Sequence, residues 1–489
     1  MKLIQKTNFL IFLSMLLVLS SCQTGTSSET TDDGIIEQTE STPETMVETT
    51  PFAALDTRDF GGKTFCIIDG NDYPDMHINL SSGELTGNVL NDAIFTRDGL
   101  VTEKLNVVLQ AQTETCANAV RQFRNNVTAG DHSYQLIIAP VLGDGLINLV
   151  TDGAVYDLNN ISRGNDAYWG KPWWSDLMYE NMQLNGKFYY TTGDIAASVY
   201  QAPFCLYYNI DFGTDYGYDA EQLFADIEAG KWTYDMLYSM CGGMAQDLNG
   251  DNSYFFDDDF TGIIADKGGE CVAMMVSSGI RLSEIDQEGN ITVNLNHERT
   301  VKAIETLHKF YEPIFGYRDF NNVVVKKAFP GRQSLFLLHN VESAVAALRD
   351  MEDDFAILPL PKLETTQDSY ISLVSGWVDA YIALPLNLED PDFSGSVTEA
   401  LARASYETVR PAAFDATIKG KIVRHEKNLV MLDLIFDNLY QDFANLNNFG
   451  NMLPSIQKWI STGEGFASGY ASIENSIQTD IENLKNIYN

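Results

Sequence analysis

The run from Asp247 to Asp259, DLNGDNSYFFDDD, sets oxygen-bearing side chains at alternate positions. A hard divalent cation asks for that donor set, and a calcium loop supplies it from positions 1, 3, 5, 7, 9 and 12. Counted from Asp247, these positions are Asp247, Asn249, Asp251, the Ser253 carbonyl, a water beside Phe255, and Asp258. Asn252 stands where the loop favours Gly, and Asp258 is shorter than the usual bidentate Glu. Asp259 becomes the last ligand if the loop carries one extra residue. The same residues also suit an ion-free Asx-rich turn. A calcium ion here would be structural, and no other cofactor is required.

The familiar catalytic constellations are missing. There is no G-x-S-x-G, H-E-x-x-H or phosphate-binding loop. The six histidines, His77, His132, His297, His308, His339 and His425, lack metal-ligand spacing. A glycosidase needs only two carboxylates, and 68 acidic residues leave that pair open. Acidic residues outnumber the 31 basic ones, for a formal net charge of −37. That excludes nucleic acid and other polyanions as partners, because both need a cationic surface. Five cysteines besides Cys22 lie scattered at 66, 116, 205, 241 and 271, unlike a disulfide framework, although one bridge stays open.

These residues must be positioned by a chain of 489 residues, enough for roughly two to four domains. Hydrophobic residues make up 45% of it, sufficient for a large core. From residue 58 onward, strand and helix signals alternate. KTFCIID (63–69) reads as a buried strand, with VVLQAQ (107–112) and YQLIIAPV (134–141) as a second and a third strand. Helices are expected between them at 88–106 and 117–129, so the order βαβαβ predicts a parallel sheet covered by helices. PFCLYYNI (203–210) reads as a further strand. Helices follow at about 220–229, 233–245, 269–279, 298–312 and 339–350. Strands are expected near 261–265, 291–295, 354–358 and 378–384, and the last third reads as mostly helical. Thr233 is a candidate N-cap, with Trp232 and Leu237 placed for a hydrophobic staple.

The first 22 residues carry Lys2 and Lys6, then an apolar run from Phe9 to Leu19, then Leu19-Ser20-Ser21-Cys22. The run is too short to span a bilayer and fits a signal peptide. Its end resembles the bacterial lipobox, which implies acylation of Cys22, with palmitate-type chains anchoring the protein. Residues 23–57 are rich in Thr, Ser and Glu. They read as a disordered acidic tether, excluded from the fold.

In this order, the segments resemble the extracellular solute-binding proteins of the family that includes maltose-binding protein. The resemblance is carried by GNVLNDAIFTRDGLVTEKLNVVL (87–109), YQLIIAP (134–140) with LVTDGAVYDLNNI (149–161), and NGKFYYTTGD (185–194) with LYYNID (206–211). GKWTYDMLYSM (230–240) with the acidic loop, and ISLVSGWVDAYIAL (371–384), complete it. It implies an α/β fold of two lobes joined by a hinge, with ligand held in the cleft between them. Lobe one would comprise 58–195 plus 380–445, and lobe two 205–375 plus 446–489. It also implies a monomeric, non-enzymatic component of an ABC importer on the outer face of the cell membrane. That component binds a carbohydrate and delivers it to permease subunits. A surface-anchored carbohydrate hydrolase or a carbohydrate-binding adhesin is the alternative.

A sugar offers apolar C–H faces and a ring of hydroxyls, so its site needs aromatic platforms and planar polar side chains. Trp173 and Trp174, in the loop-like YWGKPWW (168–174), are candidates; a packed cluster under that loop is the competing reading. Trp377, before the second crossover, would point to the cleft or pack between lobes. Asp72 and Tyr73 follow the first strand, and Asp194 and Tyr200 flank the presumed hinge. For Asp72 and Asp194 a plain turn acceptor is the other reading. Trp232 and Trp459 read as core.

Overall fold

The structure, a computed structural model, describes residues 50–489 apart from 56, 75–76, 162–168, 253–258, 266–267, 312–315, 318–326 and 421–424. The expected signal peptide, Cys22, most of the tether, Ser253 and Asp258 therefore lie outside the described residues.

Two open sheets organise the chain. The first has the order β12-β3-β1-β2, built from β1 (Lys63–Gly70), β2 (Val107–Glu114), β3 (Leu136–Ala139) and β12 (Tyr381–Ala383). β1 runs parallel to β2 and β3, as the alternating strand and helix signals predict, while β12 returns antiparallel to β3. Helices α1 (Val89–Leu105) and α2 (Cys116–Ala129) connect them. The Asn88 side chain accepts the backbone N–H groups of Leu90 and Asn91, satisfying donors at the start of α1. At the end of β1, Gly70 leaves room for α2: a Cβ there would lie 3.0 Å from Ala139 Cβ and 3.3 Å from Cys116 Cα.

The second sheet has the order β10-β4-β9-β5-β8. Its members are β4 (Phe204–Asn209), β5 (Thr261–Ile264), β8 (Gly316–Tyr317), β9 (Ser334–Asn340) and β10 (Phe355–Leu358). β4 pairs antiparallel with β9 and β10, and β5 runs parallel to β8 and β9. β4, β5 and β10 are buried along their whole length, which explains why each reads as a continuous apolar run. Two sequence expectations change here. The helix expected over 339–350 is the end of β9 followed by a short helix, Glu342–Ala346. The strand expected near 291–295 belongs to a separate hairpin of β6 (Ser283–Ile285) and β7 (Ile291–Val293).

The chain crosses between the sheets through residues 191–203 and 374–381. Bridges between Thr191 and Ile382 and between Pro203 and Val374 hold these two crossings side by side. The segment 380–445 does not stay with the first sheet. The helix Pro391–Glu407 packs on α1, but the helix Lys427–Phe436 packs on β10. There Asn428 accepts the Ile357 N–H and donates to the Phe355 carbonyl. The folded unit also starts earlier than residue 58. Phe52 is buried, and its N–H donates to Glu407 at 2.6 Å, so a stretch read as tether is tied to the core. The five cysteines outside the leader are free thiols, all but Cys66 buried. No helix among the described residues is long and apolar enough to cross a membrane.

Candidate ligand cleft

The loops after β1 and β3, the start of α2 after β2, and the end of β9 line one cleft of about 840 Å³. The carboxyl ends of parallel strands in an open α/β sheet are where loops can diverge around a ligand. The first sheet contributes Asn71, Asp72, Tyr73, Cys116 and Asp144. β9 and the helix behind it contribute His339, Asn340 and Glu342, and the second crossing contributes Trp377.

Trp377 is 57% exposed although it sits in this cleft. Its six-membered ring lies against Gly143, where φ is +69° and a Cβ would fall 2.4 Å from Trp377 Cζ3. Glycine is thus required twice, for the left-handed backbone and for the indole's seat. Tyr73 is also 57% exposed and meets the His77 ring edge-on at 6.1 Å. Two solvated aromatic rings in one cleft are platforms on which the apolar face of a sugar can stack. Polar groups surround them. Asp72 Oδ1 accepts the Cys116 N–H at 3.1 Å, so it caps α2 where Thr115 makes no side-chain bond. Asp69, buried beneath, accepts from Asn79 and Asn71, and burial pushes its carboxyl up to about 6 against those bonds.

A hydrogen bond spans the cleft. His77 Nε2 lies 2.7 Å from Glu342 Oε2, joining the loop after β1 to the helix after β9. Burial acts to raise the Glu342 carboxyl, but the His77 bond and the neighbouring imidazoles hold it below the usual carboxylate range. Burial pushes the His339 imidazole down, and its Nδ1 meets Ser343 Oγ at 2.6 Å.

Of the residues singled out in the sequence, Asp72, Tyr73 and Trp377 line this cleft. Trp173 and Trp174 do not. Both are buried, and their Nε1 atoms donate to the two carboxylate oxygens of Glu399 at 3.0 and 2.9 Å. Loop placement did not keep them in solvent, because Glu399 and Arg403, 2.7 Å apart, receive them beneath the loop. Asp194 and Tyr200 are also outside the cleft lining. The Tyr200 hydroxyl donates to Asp194, and its ring packs with Phe414 and Phe436. Burial pushes the Asp194 carboxyl up to about 7, opposed by the Tyr200 bond and the Arg410 charge.

His77, Asn79, Asp144, His339, Asn340 and Glu342 escaped the sequence reading. Asp144 could have been found, since it sits in GDG directly after the third parallel strand. The last three were lost with β9, whose run SLFLLHN has the continuous apolar signature of a buried strand.

The acidic loop lies apart from the cleft lining. Carboxylate oxygens of Asp247, Asp251 and Asp259 lie within 4.8 Å of one another. Asp259 completes that group among the described residues, which do not include Asp258. Local bonds also use it: Asp247 accepts the Gly250 and Asn252 N–H groups, and Asn249 accepts that of Asp251. Thr233 caps the preceding helix, Tyr234–Met244, by accepting from Met236 N–H, and Trp232 and Trp459 are core, as expected.

Solved structures that match this chain include sugar-binding proteins. A cyclo/maltodextrin-binding protein crystallised with maltotetraose superposes with a TM-score of 0.56 at 13% identity. The match covers 87% of this chain and 97% of that one. The chain has the maltodextrin-binding-protein fold. The cyclic α-maltosyl-1,6-maltose binding protein of Arthrobacter globiformis gives 0.56 at 12% identity, over 86% of this chain and all (100%) of its own. The maltose/maltodextrin-binding domain MalE of Bdellovibrio bacteriovorus, bound to maltotriose, gives 0.53 at 15%, over 86% and 100%. No family model matches the sequence, and no curated protein matches it.

Proposed function

We propose that this protein is the substrate-binding component of an ATP-driven importer, which holds a carbohydrate between its two sheets and delivers it to permease subunits. The observation that carries this reading is Trp377, a solvated indole seated on Gly143 inside the cleft. Proteins of the same fold were crystallised with maltotetraose and maltotriose, which supports a sugar as ligand. Binding and release need no covalent step, so the reading assigns no catalytic residue. Cys22 would be acylated and hold the folded unit, as a monomer, at the extracytoplasmic face of the membrane.

Titration calorimetry of the protein against mono- and oligosaccharides tests the reading. Saturable binding without product formation supports it. Accumulating hydrolysis products would favour the hydrolase alternative instead, and binding of peptides but no sugar would overturn the ligand class. Calcium at Asp247, Asp251 and Asp259 belongs to the same proposal, as a structural ion. Millimolar calcium should then raise the melting temperature and leave sugar affinity unchanged. Equal melting in calcium and in chelator would remove the ion from the account.

A further inference from the structure

The hydrogen-bonding capacity of the cleft is lopsided. Its amide donors are engaged within the protein: Asn71 Nδ2 donates to Asp69 and to the His77 carbonyl, Asn79 Nδ2 to Asp69, and Asn340 Nδ2 to the Ala202 carbonyl. Toward the cavity, the indole N–H of Trp377 and the hydroxyl of Tyr73 can donate, and the charged groups that face them are acceptors. The Asp144 carboxylate has no hydrogen bond or ion pair among the described residues. Asn79 is 3% exposed and lines the cleft, and its Oδ1 has no partner.

The charge is lopsided in the same direction. No Lys or Arg is among the described residues that line the cleft. Its imidazoles do not substitute for one, since His77 is paired with Glu342 and burial pushes the His339 imidazole down. The start of α2, which would favour an anion, is already capped by Asp72. The carboxylates of Asp72 and Asp144 line the same cleft. The buried Cys116 thiol is pushed up to about 12, first by burial and then by Asp72, Asp144 and Asp69. Trp377 stacks on Gly143, the residue next to Asp144, and an indole face attracts a cation.

We propose that the cleft selects a cationic sugar, with the ammonium of an amino sugar held between Asp144 and Asp72 beside Trp377, and that it excludes uronates and phosphorylated sugars. An ammonium group brings donors and a positive charge to two carboxylates that no Lys or Arg of the lining neutralises, whereas an anionic substituent brings like charge to them. A neutral sugar lies between the two. The inference rests on the carrier reading above.

Matched sugars test it. Calorimetry of the full-length protein would compare glucosamine with glucose, galactosamine with galactose, and the β-1,4 glucosamine tetramer with cellotetraose, which differ only in ammonium for hydroxyl. Tetragalacturonate serves as the anionic probe and maltotetraose as an unrelated neutral one. In the pair that binds, the amine should bind at least tenfold tighter than its neutral partner, and the advantage should shrink as salt is raised. Asp144→Asn should reduce the advantage to under threefold, read as the ratio of amine to neutral affinity measured on the same variant. Equal affinity within the pairs, or tight tetragalacturonate binding, would overturn the inference and leave the carrier reading standing. Failure of every sugar to bind would overturn both.

Discussion

An indole left in solvent is tolerated where something else uses its face, and Trp377 is the large aromatic the cleft leaves most open together with Tyr73. Trp377→Ala should therefore weaken sugar binding by about 1–2 kcal/mol, roughly tenfold, with the melting temperature within about 1 °C of the parent. Trp173→Ala should do the reverse. It removes a buried ring and a hydrogen bond to Glu399, at a cost of about 3 kcal/mol in unfolding free energy, with affinity retained in the folded fraction. The two variants separate roles that residue type alone could not. Sequence showed three tryptophans in and near a loop, but whether an indole meets ligand or core depended on Glu399, more than 220 positions away in the chain. A second residue-scale test concerns Asp379. It is fully buried where the second crossing meets the first sheet, and burial pushes its carboxyl up to about 8 despite bonds from Tyr381 and Thr192. A folded-state value above the unfolded 3.8 means the native protein keeps a proton that the unfolded chain releases. Stability should then fall as pH rises between about 4 and 8. Asp379→Asn, neutral throughout, should flatten that slope and melt above the parent at pH 8.5. Urea unfolding at several pH values reads the difference, on the order of a few kcal/mol.

At the scale of elements, the first sheet was legible because short strand runs such as KTFCIID alternate with helical periodicity. The second side of the cleft was not, because β9 runs without a turn signal into the helix Glu342–Ala346, and the pattern reads as one helix. That junction places Glu342 against His77 and creates a contact in the cleft that depends on both sheets being in register. The Glu342 carboxyl is held below its ordinary value, so its contribution is complete at neutral pH and is lost as pH falls through the folded value. His77→Ala and Glu342→Gln should each destabilise the protein, and the double variant should lose less than the sum. A coupling of about 1–3 kcal/mol is expected at pH 7, with little remaining at pH 3.5. A thermal double-mutant cycle at the two pH values measures it, and full additivity at pH 7 would mean the contact contributes nothing.

For the whole molecule, the two α/β lobes and the division of the chain between them came from the family resemblance and not from residue patterns. Lobe membership after residue 385 depends on which sheet a helix covers, and an apolar helix face does not name its partner. The structure divides that region, with Pro391–Glu407 on α1 and Lys427–Phe436 on β10. The sheets are joined by crossings that lie side by side at Thr191 with Ile382 and Pro203 with Val374. Adjacent crossings restrict relative motion of the sheets to rotation about the line they share, the hinge closure by which two lobes can trap a ligand between them. Such closure moves mass toward the cleft, so small-angle scattering should show a smaller radius of gyration at saturating sugar than without it. Trp377→Ala, given enough sugar to saturate, should compact to the same final radius, because the platform contributes affinity and the crossings supply the motion. Gly143→Val is the contrasting variant. A side chain there displaces the indole, as its Cβ alone would lie 2.4 Å from the ring, and should hold the cleft from closing even when sugar is bound. An unchanged radius for the parent protein at saturation would mean that sugar is held without closure, and the crossings would then be rigid struts rather than a hinge.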